Sequence, residues 1–210
     1  MLAPFMTIMR ERVPFPWEKL TGEPLIYASM GTLVNGLTDV FRIILKVVAA
    51  IPGRQLVLSI GSNIQMDDIG PIPASAIVVS KAPQIELLKR AELCITHAGI
   101  NTTLESLALG VPMVAIPVGF DQPGIAARIV YHGVGKSVPV ASMNKEDLSG
   151  AIQEVLGSYR DTARRFQRTI AQTHGLDRAA DVLERAFQLV DESRVAVWET
   201  GKSWARRSNN

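Results

Sequence analysis

The sequence alternates short apolar runs with segments of helical periodicity, and this alternation is the feature that most constrains the fold. Runs with the character of buried strands lie at residues 25–30, 55–60, 76–80, 92–96, 113–116 and 134–138. Most of them are separated by segments whose apolar residues are spaced three or four apart, as helices require. Near-continuous apolar strands that alternate with helices are typical of a parallel sheet covered on both faces. We therefore predict an α/β fold: a doubly wound, Rossmann-like parallel sheet with helices on both faces.

The alternating pattern occupies the middle of the chain and predicts one domain over residues 24–192. Residues 1–23 contain three prolines among scattered charges and show no period, which is typical of a linker or tail. Residues 193–210 form a C-terminal tail that mixes two tryptophans with basic residues. A basic segment with tryptophans is also typical of contact with a membrane surface, so we keep peripheral membrane contact as an alternative for this tail.

Composition and charge exclude several classes of protein. The chain has 210 residues with 22 Lys and Arg against 20 Asp and Glu, so its net charge of +2 indicates no nucleic-acid partner. Its one cysteine, Cys94, falls in a predicted buried strand, which argues against disulfides and favours a reducing compartment. No apolar run reaches the roughly 18 residues of a membrane span, and no signal-peptide core is present. We expect a cytoplasmic protein.

Several familiar catalytic motifs are incomplete. Residues 133–137 resemble the end of a phosphate-binding P-loop, but Val130 stands where that loop needs a glycine. No dinucleotide-binding G-x-G-x-x-G follows the first strand, and no G-x-S-x-G elbow is present. The three histidines, at positions 97, 132 and 174, are not spaced as metal ligands. The sequence therefore predicts neither an ATPase, a nicotinamide dehydrogenase, a serine hydrolase nor a metal centre.

Polar and glycine-containing segments follow the predicted strands. They lie at residues 31–32, 61–62, 81–84, 97–101 and 117–122. Because ligands of open parallel sheets bind at the carboxyl ends of the strands, we expect these segments to converge on one site.

The stretch 97–105 contains the most informative of these segments, because it joins a buried strand to the start of a helix. A helix start offers unpaired amides and a positive dipole end, which suit phosphate, and Gly99 permits a close approach of the backbone. Asn101 and Thr102 add donors, and Glu105 lies one turn further along the same face, where a carboxylate can accept hydrogen bonds from ribose hydroxyls. The stretch favours a nucleotide site. The alternative is structural: Asn101 caps the helix and Glu105 is a solvated acid of the first turn.

The order and spacing of the polar positions resemble a known signature. The matching residues are Ala82-Pro83-Gln84, Thr96-His97-Ala98-Gly99, Asn101-Thr102, Glu105, Gly110-Val111-Pro112, Pro117 and Asp121-Gln122, together with Ser29-Met30-Gly31-Thr32 upstream. They resemble the donor-binding signature of UDP-dependent glycosyltransferases, and the likeness spans residues 24–190. Such enzymes have the two-domain GT-B fold, of which this chain resembles the C-terminal half. Residues 120–135 look most like bacterial zeaxanthin (carotenoid) glucosyltransferases.

The resemblance implies a role for each matching residue. The groups that it assigns to the diphosphate are His97, the Gly99 backbone, Asn101, Thr102 and the first turn, Gly31-Thr32. Glu105 would hold the ribose, and Gln84 with the backbone near Lys81 and Ala82 would contact the ribose or uracil. Asp121 and Gln122 would bind hydroxyls of the transferred sugar. Two structural alternatives stay open: Asp121 caps the next helix, and Gln84 is an ordinary first-turn residue.

The chain departs from the family pattern at two positions. Lys81 stands where an aromatic residue often stacks on the base, so the preference for uridine is less secure. Ala98 replaces the first of two glycines that are common in bacterial members, and an alanine fits there if the backbone angles are ordinary.

The activity implied by the resemblance is inverting transfer of a hexose, with glucose from UDP-glucose as the expected donor, to a hydroxyl of a lipophilic acceptor such as a carotenoid. The resemblance implies no metal and no cofactor. It places the catalytic base in an N-terminal acceptor-binding domain, which nothing before Pro24 could form, so we expect this chain to be inactive alone. Two alternatives remain: a nucleotide-sugar-binding subunit of a split glycosyltransferase, and a sugar-nucleotide epimerase domain.

Overall fold

A computed structural model describes residues 13–31, 37–175 and 177–187 of the chain. The chain divides into two compact units, one formed by Pro4–Ala171 and the other by Met1–Ala3 with Gln172–Asn210. Thr32 and the predicted tail at 193–210 lie outside the described residues. In the second unit, residues 177–187 are helical.

The larger unit contains a parallel sheet of six strands. In chain order they are β1 Leu25–Ser29, β2 Gln55–Ser59, β3 Ala76–Val79, β4 Ala91–Thr96, β5 Met113–Ala115 and β6 Gly135–Ser137. Their order in the sheet is β3-β2-β1-β4-β5-β6, and every adjacent pair is parallel. The chain builds outward from β1 in one direction and then from β4 in the other, so the strand order reverses between β1 and β4. The predicted doubly wound fold is confirmed, and its switch point lies between these two strands.

Helices cover both faces of the sheet. They are α1 Thr38–Ala49, α2 Gln84–Leu88, α3 Ile100–Ala108, α4 Gln122–Tyr131, α5 Lys145–Ser158 and α6 Arg160–Ala171. Alternate strand residues point to opposite faces. Ile26 and Leu56 therefore join an apolar cluster with α1 and α5, whereas Tyr27 and Val57 join a second cluster with α2, α3, α4 and α6. Among the described residues, no helix combines the length and the apolar character needed to cross a bilayer.

The start of α5 shows how directly the local sequence sets an element. Asn144 is the N-cap, and its side-chain Oδ1 accepts a hydrogen bond from the Asp147 amide at 2.8 Å. The Asn144 amide group also donates to the Asp147 carboxylate at 2.7 Å. This arrangement satisfies one of the helix-start amides, as the capping-box spacing predicts.

Short 3₁₀ turns occur where the sequence predicts only linker or loop. Trp17–Lys19 forms one turn in the predicted linker, and Met66–Ile69 forms another in the loop after β2. In the first case Gln55 fixes the segment, because its side chain accepts from the Thr21 amide and donates to the Lys19 carbonyl. In the second case Ile69 is buried in the core. Tertiary contacts, which local periodicity does not record, order both segments.

The segment that resembles a P-loop end has a structural explanation. Gly135 begins β6 against β5, and a Cβ atom built on it would overlap the Met113 carbonyl oxygen and lie 2.8 Å from Cγ2 of Ile129. The glycine at this position therefore permits close packing of strand and helix.

We expect Gly135→Ala to lower the free energy of unfolding by about 2 kcal/mol or more, because the new methyl group must push β5 and β6 apart. The matched control is Gly150→Ala on the exposed face of α5, where a Cβ meets nothing within 4 Å. That change should stabilise the protein by up to about 1 kcal/mol through helix propensity. Denaturant unfolding of both variants measures the difference, and equal stabilities would contradict this account of Gly135.

Candidate functional site

A cleft of about 440 Å³ opens at the carboxyl ends of β1 and β4, at the switch point of the sheet. Its walls come from the ends of both strands, the starts of α2 and α3, and the loop before α4. The lining residues are Ser29, Gly31, Gln84, His97, Gly99, Ile100, Asn101, Thr102, Phe120, Asp121 and Gln122. Eight of the residues predicted from sequence therefore meet in one cleft. Ser29, Ile100 and Phe120 also line the cleft. Ser29 is part of the matching signature, but none of the three had a predicted role.

The other predicted residues lie elsewhere. Lys81 is exposed and Ala82 packs against an apolar cluster, so neither side chain lines the cleft. Glu105 is only 2% exposed and lies behind the cleft wall. Thr32 is outside the described residues.

The start of α3 presents backbone amides to the cleft. Gly99 is the N-cap and has no side chain to accept from them, and the first intrahelical bond runs from the Thr103 amide to the Gly99 carbonyl at 3.0 Å. The amides of residues 100–102 precede that bond, so the helix supplies them no acceptor. The proposed capping role of Asn101 is wrong, because Asn101 is already inside the helix.

The turn from β4 into α3 places a non-glycine residue in left-handed backbone conformation. Ala98 has φ = +65° and is fully buried, so the condition of ordinary backbone angles is not met at this position. A left-handed alanine costs roughly 1–2 kcal/mol. The chain accepts this conformation because β4 must turn sharply before the helix begins, and the Ala98 amide is satisfied by Oγ1 of Thr96 at 3.2 Å.

The imidazole of His97 lies between two glycines. A Cβ on Gly31 would come within 2.8 Å of Nε2, and a Cβ on Gly99 within 2.5 Å of the same atom. Only residues without side chains leave room for the ring here. Nδ1 of His97 is buried and has no hydrogen-bond partner among the described residues.

The environment of His97 favours its neutral form. Burial lowers the pKa of the ring, and the nearby Ser29 backbone and the Asp121 carboxylate act in the opposite direction without cancelling that effect. A negatively charged ligand in the cleft would favour the protonated ring.

A buried hydrogen-bond network supports the cleft from behind. Gln84 Nε2 donates to Oε2 of Glu105 at 2.6 Å and to Oγ1 of Thr102 at 3.2 Å, and Gln84 Oε1 accepts from the Tyr27 hydroxyl at 3.1 Å. Burial is the main reason that the pKa of the Tyr27 hydroxyl is raised. The network joins β1, α2 and α3. Glu105 is only 2% exposed, so the alternative that it is a solvated acid is wrong. Gln84 is the first residue of α2, as its structural alternative expects, and its side chain in addition links three elements.

Cys94 takes no part in the cleft. It is free and fully buried, and burial raises the pKa of its thiol to about 12. A neutral buried thiol is a poor nucleophile. Within the described part of the chain, no group of three His, Cys, Asp or Glu side chains is arranged to hold a metal ion.

The loop before α4 is organised by Gln122. This side chain is 5% exposed, and its Oε1 accepts from the Val118 and Gly119 amides at 2.9 and 3.1 Å. Both acceptor sites of its carbonyl oxygen are used, so any hydrogen bond to a ligand must come from its NH₂ group. Asp121 occupies the N-cap position of α4 but its exposed side chain makes no capping hydrogen bond. The capping alternative for Asp121 is therefore wrong.

Comparison with known proteins identifies the family. The family described as "UDP-glucoronosyl and UDP-glucosyl transferase" matches residues 19–188. The chain belongs to this family. An uncharacterized UDP-glucosyltransferase of Bacillus subtilis, YojK, is 34% identical over 85% of this chain and 44% of its own length. The zeaxanthin glucosyltransferase of Pantoea ananas is 32% identical over 79% of this chain and 39% of its own length.

Solved structures of glycosyltransferases share the fold. The chain superimposes on CalG4, the calicheamicin glycosyltransferase, with a TM-score of 0.74 and 27% identity, over 80% of this chain and 44% of CalG4. The chain therefore spans less than half the length of the relatives that it matches. The likeness to zeaxanthin glucosyltransferases is real, and other members of the family are about as similar.

We expect Gly99→Ala to displace the His97 ring, because the new Cβ would meet Nε2 at 2.5 Å. The variant should lose about 1–3 kcal/mol of stability. Its His97 pKa should rise toward the ordinary value as the ring moves out of its buried position. NMR titration of the imidazole signals measures this pKa. The control is Gly119→Ala, where a Cβ meets nothing within 4 Å; if both variants titrate like the parent, the ring does not depend on Gly99.

Proposed function

We propose that this chain binds a nucleotide-diphosphate sugar, as the donor half of a glycosyltransferase. The observation that carries the proposal is the start of α3, where amides without intrahelical acceptors and the His97 ring line one cleft at the switch point of the sheet. Membership of the UDP-glycosyltransferase family supports the same assignment. Family membership does not favour the alternative of a sugar-nucleotide epimerase domain.

The diphosphate would lie against the start of α3. Amides of residues 99–102 would donate to its oxygens, and the helix dipole would favour its charge. The Asn101 side chain lines the cleft and can donate as well. These groups are fixed by the fold before the ligand arrives, which is how preorganised dipoles stabilise a charge that develops during a reaction.

The ribose would interact with the buried network. Gln84 and Thr102 line the cleft. Gln84 donates hydrogen bonds both to Thr102 and to Glu105, which lies behind the cleft wall. A carboxylate has about four acceptor sites, so it can hold the Gln84 amide and still accept from a ribose hydroxyl. Reaching Glu105 requires a small displacement of Gln84, because the acid is 2% exposed.

The transferred sugar would bind at the loop before α4. Asp121 offers an exposed carboxylate that accepts hydrogen bonds, and Gln122 offers an NH₂ group that donates them. An adjacent acceptor and donor match neighbouring hydroxyls of a hexose. Glucose is the proposed sugar and uridine the proposed base, supported by the names of relatives such as the UDP-glucosyltransferase YojK.

The proposed reaction is inverting transfer to a hydroxyl of a small lipophilic acceptor such as a carotenoid, which the zeaxanthin glucosyltransferases support. The acceptor oxygen would attack the anomeric carbon while the bond from that carbon to the diphosphate oxygen breaks. UDP would leave with the electron pair, stabilised by α3 and His97. A base in an acceptor-binding domain would take the proton. That domain is a proposed partner of this chain.

The ribose contact predicts a distinct response to the Glu105→Gln substitution. The parent should bind UDP about tenfold or more tightly than 2′-deoxy-UDP, because hydrogen bonds to a charged acceptor are worth about 1.5–3 kcal/mol. Glu105→Gln keeps the side-chain volume, and we expect it to reduce that ratio toward one. Calorimetry with both nucleotides measures the ratio. An undiminished ratio would reject the ribose role of Glu105, and failure of UDP, dTDP and GDP alike to bind would reject the donor site.

The His97 ring predicts pH-dependent binding of UDP-glucose. The free ring has a lowered pKa, and the bound diphosphate would raise it, so binding takes up a proton. Affinity should be highest at low pH and fall by up to about tenfold per pH unit as the pH rises between the two pKa values. UDP-glucose suits this measurement because its diphosphate diester lacks the phosphate ionisation near pH 6.

The matched variants for this pH profile are His97→Gln and His132→Gln. His132 is exposed and lies outside the cleft, so its loss should leave the profile unchanged. His97→Gln should flatten the profile between pH 5 and about pH 8. If the affinity of His97→Gln for UDP-glucose varies with pH as that of the parent does, the pH dependence belongs to another group.

A further inference from the structure

Phe120 is the least expected residue of the cleft. Its side chain is 90% exposed, although it is a large apolar group, and its backbone has φ = +59°. It lines the same cleft as Asp121, Gln122 and His97. A left-handed conformation is unfavourable for a bulky non-glycine residue, so its occurrence at a cleft residue whose ring faces solvent points to a function.

The loop itself does not require phenylalanine here. Gly119, the preceding residue, could adopt a left-handed conformation without cost, yet it is Phe120 that has the positive φ. The Gln122 side chain accepts from the Val118 and Gly119 amides, and the Gln122 amide donates to the Gly119 carbonyl at 3.2 Å. These backbone contacts fix the turn. They hold the Phe120 ring on the rim of the cleft without burying it.

We infer that Phe120 is a stacking platform for the hexose ring of the donor. The inference rests on the proposed function and deepens it by naming a further specificity residue. A pyranose has hydroxyls around its edge and an apolar surface of C–H groups on its face. Asp121 and Gln122 can form hydrogen bonds with the hydroxyls. The adjacent aromatic face would pack against the C–H surface, and this contact would bury apolar area of both partners.

The test compares UDP-glucose with UDP, because only the former carries the hexose. Calorimetry on the full chain gives the ratio of the two dissociation constants for the parent and for Phe120→Ala, Phe120→Leu and Phe120→Trp. We expect the dissociation constant of UDP-glucose, divided by that of UDP, to rise about tenfold in Phe120→Ala, less in Phe120→Leu, and little in Phe120→Trp. Binding of UDP itself should not change. The control is Tyr131→Ala, which removes an equally exposed aromatic (85%) outside the cleft and should leave the ratio unchanged.

The outcomes separate the two proposals. If no variant, including the parent, binds UDP, the proposed function fails and this inference fails with it. If UDP binds normally but Phe120→Ala changes the ratio by less than about twofold, a factor below the range expected for aromatic contacts, only the stacking role is overturned. Equal weakening of UDP and UDP-glucose would also overturn it, because Phe120 would then support the loop and not the sugar.

A stability measurement distinguishes function from structure at the same position. Phe120→Gly removes the left-handed strain and the exposed ring, so its midpoint of thermal unfolding should equal or exceed that of the parent while its binding ratio rises as in Phe120→Ala. A lower midpoint in Phe120→Gly would show that the ring stabilises the fold, and the stacking inference would be withdrawn.

Discussion

The sharp turn from β4 into α3 is the constraint on which the cleft depends. The strand ends in the buried core and the helix begins three residues after His97, so Ala98 takes a left-handed conformation and Gly99 serves as an N-cap without a side chain. This geometry leaves the first amides of the helix without intrahelical acceptors and seats the His97 ring between Gly31 and Gly99. Because β1 and β4 are neighbours at the switch point, the turns after both strands meet at one place.

The interior behind the turn holds the cleft in shape. Tyr27 on β1, Gln84 on α2 and Glu105 on α3 are linked by partly buried hydrogen bonds, so three separate elements are fixed relative to one another. Removing a partner from such a network would leave a buried polar group unsatisfied, which generally costs more than the bond contributed. The loop before α4 is fixed in a different way, because the Gln122 side chain accepts hydrogen bonds from two backbone amides of that loop. The cleft is therefore held by three linked elements on the side of the proposed diphosphate site, and is open at the loop before α4, the proposed sugar site.

Most of the fold follows from the sequence, because buried parallel strands and capped helices have local signatures. The six strands were predicted from apolar runs, and the observed strands agree with them. The Asn144 cap follows in the same way from the local spacing of Asn144 and Asp147. Convergence of the polar segments follows from parallel topology alone. The burial of Glu105 and the φ values of Ala98 and Phe120 do not follow, because they depend on how distant elements pack against the turn. For the same reason the structural alternative of a solvated Glu105 fails, because this acid is an interior group.

We propose above all that the first backbone amides of α3 form hydrogen bonds with a diphosphate. Amide NMR spectra recorded during titration with UDP-glucose test this claim most directly, because each backbone N–H reports its own hydrogen bond. The largest chemical-shift changes should fall on the amides of Gly99, Ile100, Asn101 and Thr102, with smaller changes in the loop before α4. Saturable binding whose largest shifts lie elsewhere, with these four amides unchanged, would contradict it.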